Sequence, residues 1–215
     1  MPSQDQFQSP DYYLLDELLT TEHLLIRKTI REFIKREVSP IIEEACQSCV
    51  FPMGLIPKLG ELGCFGPFIP NQYGGAELDQ ISYGLIMQEL ERGDSGIRST
   101  ASVQSSLVMY PIFAYGDDGQ KKKYLPKLAS GEMMGCFGLT EPNHGSNPAG
   151  MESRFIDQGD HFLLNGSKLW ISNSPFADIA VVWAKNQNNR IQGLIIDTKM
   201  EGVSTPETHN KWSLR

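Results

Sequence analysis

The chain of 215 residues has no apolar run near the roughly 20 residues that a membrane helix needs. Cysteine is scarce: four residues in this length do not make a disulfide scaffold. Cys46 and Cys49 form a C-x-x-C, but Cys64 and Cys136 supply no second pair at zinc-ribbon spacing. No strand precedes the pair, which removes the thioredoxin-like reading, and the expectation is two thiols on adjoining helix faces with no metal. Positive charge is also in deficit. Nineteen Lys and Arg against 26 Asp and Glu leave a formal net charge of −7, which argues against non-specific binding of nucleic acid or an anionic membrane. There is no G-x-G-x-x-G and no P-loop, so a dinucleotide is not held in the Rossmann or Walker manner. The first residues, MPSQDQFQSPDYYLLDELL, lack the cationic flank and apolar stretch of a secretory signal and the Arg-rich character of a transit peptide. The expected location is the cytoplasm, or an organelle matrix after processing (mitochondrial, in a eukaryote).

What is present is ordinary soluble composition, 40% hydrophobic and 21% charged, with enough length for one large domain or two modest ones. Ile26, Ile30, Phe33, Ile34 and Val38 recur at helical spacing, with Thr20 or Thr21 as the N-cap and Pro40 as the stop. GLIPKLGELG predicts a short helix closed by Gly63, and PNQYGGAELD a loop. Asp79 predicts the cap of a helix lined on one face by Ile81, Leu85, Ile86 and Leu90. SGIRSTASVQSSLVMYPIFAYG predicts a helix rich in small residues, and DGQKKKYLPKLASGE a shorter one capped by Gly131. The Lys run at 121–123 reads as a solvated face rather than a phosphate site.

The period then changes. RFIDQGDHFLLNGSKLWISN, DIAVVWAK and IQGLIIDT are short β-branched and aromatic runs, separated by turn signals such as Asn165-Gly166. Helices followed by strands predict an α+β chain: an all-α domain over 1–133, then an incomplete antiparallel, barrel-like β domain over 134–215. Three or four strands ending in STPETHNKWSLR would leave edges unpaired, so the chain is expected to be the front of a longer protein.

The stretch GCFGLTEPNHGSNPAGM, at 135–151, falls on that boundary, where ligand sites often form. Its backbone N–H groups, glycines and the hydroxyls of Thr140 and Ser146 suit a polar ligand edge or a pyrophosphate, although each such fragment alone is more often a plain turn. Downstream, Trp170 and Ser172 would face the same side of a strand, offering a planar ring a stacking surface and a hydrogen bond.

Taken together and in this order, GLTEPNHGSN and WISN resemble the FAD-holding segments of the acyl-CoA dehydrogenase family. GDSGIRSTASVQSSLVMYPIFAYG resembles its glutaryl-CoA dehydrogenase branch, and the likeness extends from about residue 10 to the last residue. The resemblance implies that Phe137, Gly138, Leu139, Thr140, Gly145 and Ser146 line the flavin, that Trp170, Ile171 and Ser172 flank its ring system, and that Ser172 stands near N5. It implies that Ser146 also lies beside an acyl-CoA thioester, and that Arg98 and Ser99 close the far end of the acyl pocket. A glutaryl chain ends in a carboxylate, for which an always-ionised, bidentate Arg is a suitable partner; the plainer alternative is a surface pair of Arg98 with Asp94 or Glu91. The implied reaction is oxidation of glutaryl-CoA to glutaconyl-CoA with decarboxylation to crotonyl-CoA, a step of lysine and tryptophan degradation, with electrons passing to an electron-transfer flavoprotein. A homotetramer is the implied assembly.

Two departures accompany the resemblance. The first is Asn147, which stands where the family usually has Asp (His144, by contrast, falls at a variable position and is expected to face solvent); the second is the absent base. No catalytic base is assigned here, because the resemblance puts that Glu in a C-terminal helical domain. Another short acyl-CoA substrate, or a non-catalytic flavin- or CoA-binding fragment, are the alternative readings.

Overall fold

The computed structural model describes residues 11–209, 211 and 214; the N-terminal leader reading at 1–10, and the last polar residues 210, 212, 213 and 215, lie outside them. Helix α1 (Thr21–Phe33) starts at Thr20, whose hydroxyl accepts the His23 N–H while the His23 ring accepts the Thr20 N–H. The other ring nitrogen of His23 meets Asp79 at 2.9 Å, and Asp79 in turn caps α4 (Gln80–Gly93) by accepting the Ser82 N–H. One side-chain relay therefore joins the starts of two packed helices. A π-helical turn over Ile34–Val38 continues α1 and stops just before Pro40, the breaker expected from sequence. Short helices α2 (Ile42–Ser48) and α3 (Leu55–Glu61) follow, and Gly63 just beyond α3 is left-handed.

Leu85, Ile86 and Leu90 of α4 are buried as expected, but Ile81 is 50% exposed, and in the first turn it is its neighbour Ser82 that is buried. Glu89 is buried at the contact with α1, where Arg31 grips both oxygens at 2.7 and 2.9 Å and Arg92 adds a third approach at 3.3 Å. A carboxylate can be buried there because it is fully paired. Cys46 lies in α2 and Cys49 is its left-handed C-cap, and no disulfide joins any of the four cysteines. Burial pushes the thiols of Cys64 and Cys136 up to about 12, which makes them inert packing groups.

The small-residue stretch forms one helical run in three parts: α5 (Ser95–Ser102), a π-helical segment over Val103–Met109, and α6 (Tyr110–Tyr115). Ala101 and Ser105 are fully buried and serve close packing, not ligand space. Gln104, in the π segment, is also fully buried; its amide donates to the carbonyls of Leu128 and Met133 and accepts the Gly135 N–H, each at 2.9 Å. Helix α7 (Asp118–Ser130) is capped by Asp117 and ends at left-handed Gly131, as read from sequence.

The chain then enters a five-stranded sheet: β1 (Gly135–Gly138), β2 (Arg154–Asp157), β3 (Phe162–Asn165), β4 (Ile179–Lys185) and β5 (Ile191–Asp197). The hairpins β2–β3 and β4–β5 are antiparallel as expected, but β1 and β2 both run parallel to β4. The sheet is therefore mixed. β1 occupies one edge of β4 from Ile179 to Val182, and β2 rejoins the same edge at Lys185. The loop between them, 139–153, is thus an excursion from a single sheet edge. One face of β4, with Ile179 and Val181, packs on the helical core, and the other, with Ala180 and Val182, forms a second apolar cluster with Cys136 and Ala177. Both faces of β4 are covered, so it reads as a continuous apolar run rather than an alternating one.

Candidate functional site

The loop is closed at its base by a residue that sequence reading gave no role. Glu141 is 4% exposed. Its carboxylate accepts the N–H groups of Glu152 (2.5 Å) and Ser153 (3.0 Å) and the Lys168 ammonium (2.8 Å). Lys168 donates also to the Leu139 carbonyl, and the Leu169 N–H donates to the Thr140 carbonyl at 2.9 Å. Burial works to raise the Glu141 pKa, but Lys168 and the backbone donors outweigh it and bring it down to about 2. A depressed folded value contributes stability above the unfolded value near 4.5, and that stability is lost as pH falls toward 2. Protease resistance of 139–153 should accordingly fall between those limits, and Glu141→Gln should remove that pH dependence; an unchanged profile in the variant would contradict it.

The expected strand through Trp170 is absent. Gly166 has a φ of +152°, and the chain there leaves the sheet and runs across the mouth of the loop. Trp170 is left-handed (φ 60°) and 66% exposed, and Ser172 precedes a short 3-10 turn, so the two do not share a strand face. Their convergence on the loop arises instead from the Leu169–Thr140 bond. A left-handed tryptophan is an unfavourable backbone state that tertiary contacts must hold. Asn173, also left-handed, supplies such contacts, its buried amide donating to the carbonyls of Gly135 and, at 3.4 Å, Thr100.

A crevice of about 240 Å³ is lined by Phe137, Leu139, Thr140, Trp170, Ile171 and Ser172 on the sheet side and by Val103 and Leu107 on the helical side. Among the described residues, the hydroxyls and backbone N–H groups of Thr140 and Ser172 make no hydrogen bond and remain available. A larger cavity of about 810 Å³ adjoins it, sharing Trp170, Ile171 and Ser172 and bounded also by Gly138, Lys168, Ser99 and the segment from Gly202 to Thr208. Gly138 is buried, and a Cβ there would press on Lys168 and Val182. Gly145 and Ser146 are exposed at the loop tip and line neither space.

Arg98 likewise lines neither space; its Nε donates to Glu91 at 2.6 Å, the surface pair weighed above. Hydrogen bonds from Ser95 and then Arg98 hold the Glu91 carboxyl below its usual range. Asp94 is occupied as the cap of α5, accepting the Ile97 N–H. His144 is not solvent-facing: its side chain is 21% exposed, packed against Gly150, with Nε2 3.5 Å from Glu152. Asn147 is exposed and its side chain makes no capping hydrogen bond. Glu141, Lys168 and Asn173 are the site-building residues that sequence reading missed. Glu141 and Asn173 stand inside the two quoted segments, GLTEPNHGSN and WISN, and Lys168 just before the Trp, 27 residues from Glu141, but nothing local marks their partners.

Residues 20–132 match the acyl-CoA dehydrogenase N-terminal domain, and residues 136–215 match the middle domain of that family. The probable acyl-CoA dehydrogenase YngJ of Bacillus subtilis (strain 168) is 37% identical over 204 residues, covering 92% of this chain and 53% of its own length. The glutaryl-CoA dehydrogenase of Desulfococcus multivorans is 39% identical over 173 residues, covering 79% of this chain and 44% of its own length. Among solved structures, a glutaryl-CoA dehydrogenase from Mycobacterium smegmatis in complex with FADH2 superposes with a TM-score of 0.91 at 43% identity, over 94% of this chain and 52% of that one. The chain spans about half the length of such relatives. With both family domains matched in order and the fold reproduced, the chain belongs to the acyl-CoA dehydrogenase family.

Proposed function

We propose that this chain provides the FAD cradle and the acyl pocket of an acyl-CoA-oxidising flavoenzyme, acting on glutaryl-CoA. The observation that carries the flavin reading is the crevice itself, where an exposed indole and unpaired hydroxyl and N–H donors on Thr140 and Ser172 face a narrow apolar wall. Such a donor set suits the hydrogen-bonding edge of a flavin, with Trp170 against the ring and Ser172 donating near N5. FAD supplies the acceptor for the two electrons removed from the acyl chain. Electrons would pass on to an electron-transfer flavoprotein, and glutaconyl-CoA would decarboxylate to crotonyl-CoA. Gly145 and Ser146, at the loop tip, are proposed to meet the flavin and thioester when these bind. The proposed assembly is a homotetramer, the proposed location the cytoplasm, and the proposed domain join lies near residue 133.

No carboxylate near the crevice is proposed as the base. Glu141 is closed into the loop base, Glu91 is paired with Arg98, Glu152 lies beside His144, and Glu207 lines the larger cavity but not the crevice.

Arg98 is the proposed selector for a charged chain end, exchanging Glu91 for the substrate carboxylate; its neighbour Ser99 lines the larger cavity. The bond to Glu91 favours a second reading, an acyl chain without a terminal charge. Arg98→Gln in the FAD-loaded protein separates the two. Ligand-induced shifts of the flavin spectrum should show glutaryl-CoA binding weakened about 30-fold, the scale of a charge-assisted pair, with butyryl-CoA nearly unaffected. Equal losses for both would remove Arg98 from the pocket.

A further inference from the structure

Glu141 and Lys168 have side chains only 3% and 10% exposed. A buried ion pair is an expensive way to fill space, and apolar side chains of like volume often serve stability as well. What this pair does, and apolar side chains cannot, is hold several backbone groups at fixed distances. Lys168 reaches the Leu139 carbonyl at 3.2 Å and Glu141 at 2.8 Å, while Glu141 also takes the N–H groups of Glu152 and Ser153. The Leu169–Thr140 backbone bond lies beside them. Three stretches far apart in sequence, 139–141, 152–153 and 168–169, therefore meet at one ion pair. The Lys168 stem crosses Gly138 so closely that a Cβ there would stand 3.2 Å from its Cγ.

We infer that Glu141 and Lys168 are positioning residues, a buried clamp that sets Leu139 and Thr140 against Trp170 and Ser172 at the separation the flavin ring requires before any cofactor arrives. The inference rests on the flavin reading of the crevice. Neither residue touches the ring in this scheme; each acts through the segments it ties. Because each partner leaves the other's charge buried and unpaired when removed, the two substitutions should not be independent.

The test is a double-mutant cycle with Glu141→Gln, Lys168→Met and both together, read in two ways. Amide hydrogen exchange of the chain without FAD should quicken at Glu152, Ser153 and Leu169 in Glu141→Gln, and at Leu169 in Lys168→Met. FAD affinity should fall at least about tenfold in each single variant, with the combined loss smaller than the product of the two. At saturating FAD, quenching of flavin fluorescence by Trp170 should stay incomplete in both single variants; a purely structural role would give back the parent signal once the site is filled. Unchanged Leu169 exchange in Glu141→Gln, or losses that multiply, would overturn the clamp. If the parent chain takes up no FAD, the flavin reading fails, and the exchange data still decide whether the pair couples the segments.

Discussion

Replacing Gln104 with Leu is expected to destabilise the chain by about 3 kcal/mol, the cost of removing the amide that serves three backbone groups at the edge of the core. Leu is close to Gln in volume, so no cavity accompanies the change, and the cost is one of hydrogen bonding. The Met133 carbonyl and the Gly135 N–H lose their amide partner, and the Leu128 carbonyl is left with the Gly131 N–H alone, at 3.4 Å. They lie at the end of α7, in the link to the sheet and at the start of β1, so the substitution should loosen the attachment of the sheet to the helices before it melts either. Urea unfolding checks this: the midpoint should fall markedly, with sheet signals lost ahead of helical ones. A loss below about 1 kcal/mol, the net worth of one ordinary bond, would mean that these groups find other partners.

Gly166→Ala is the second large effect. At φ +152° any L side chain is strained, and a Cβ there would overlap the Ser153 side chain and stand 2.7 Å from its Cα. Ser153 cannot retreat, because its N–H is held by Glu141 and its carbonyl by Lys185 N–H. The expected cost is about 3 kcal/mol, combining backbone strain with overpacking, together with a fall of about tenfold or more in FAD affinity as the 168–172 segment moves off the loop. Gly159→Ala provides the contrast. Its φ of +97° is also positive, but nothing lies within 4 Å of the added Cβ, so it should cost only about 1 kcal/mol and leave flavin binding intact. Equal effects at the two positions would show that strain alone, without the contact at Ser153, accounts for Gly166.

Local signals in the sequence suffice where the physics is local. Thr20, Asp79 and Gly131 mark helix ends through bonds spanning three or four residues, and each cap is found where its residue type predicts it. The switch from helical to strand periodicity likewise placed the sheet after the helices. What was not legible is what depends on distant partners. β1 has only four residues, two of them Gly, and is a strand because β4 lies beside it from residue 179 onward; the parallel pairing follows from the same remote contact. The run from Lys168 to Ser172 is short, aromatic and β-branched like a strand, yet Gly166 and the Leu169–Thr140 bond divert it. The site residues were named from a resemblance in two short segments. How those segments are brought together, through Glu141, Lys168 and Asn173, depends on contacts across 27 to 73 residues that no local pattern carries.

The most direct test of the flavin cradle is the visible spectrum of the purified 215-residue chain after equilibration with FAD and removal of the excess, followed by glutaryl-CoA without air. The expected result is a yellow protein with quenched flavin fluorescence, which glutaryl-CoA perturbs but does not bleach, since no carboxylate among the described residues lines the crevice. A colourless protein would contradict the cradle formed by Leu139, Thr140, Trp170 and Ser172, and bleaching would contradict the exclusion of a base from this chain.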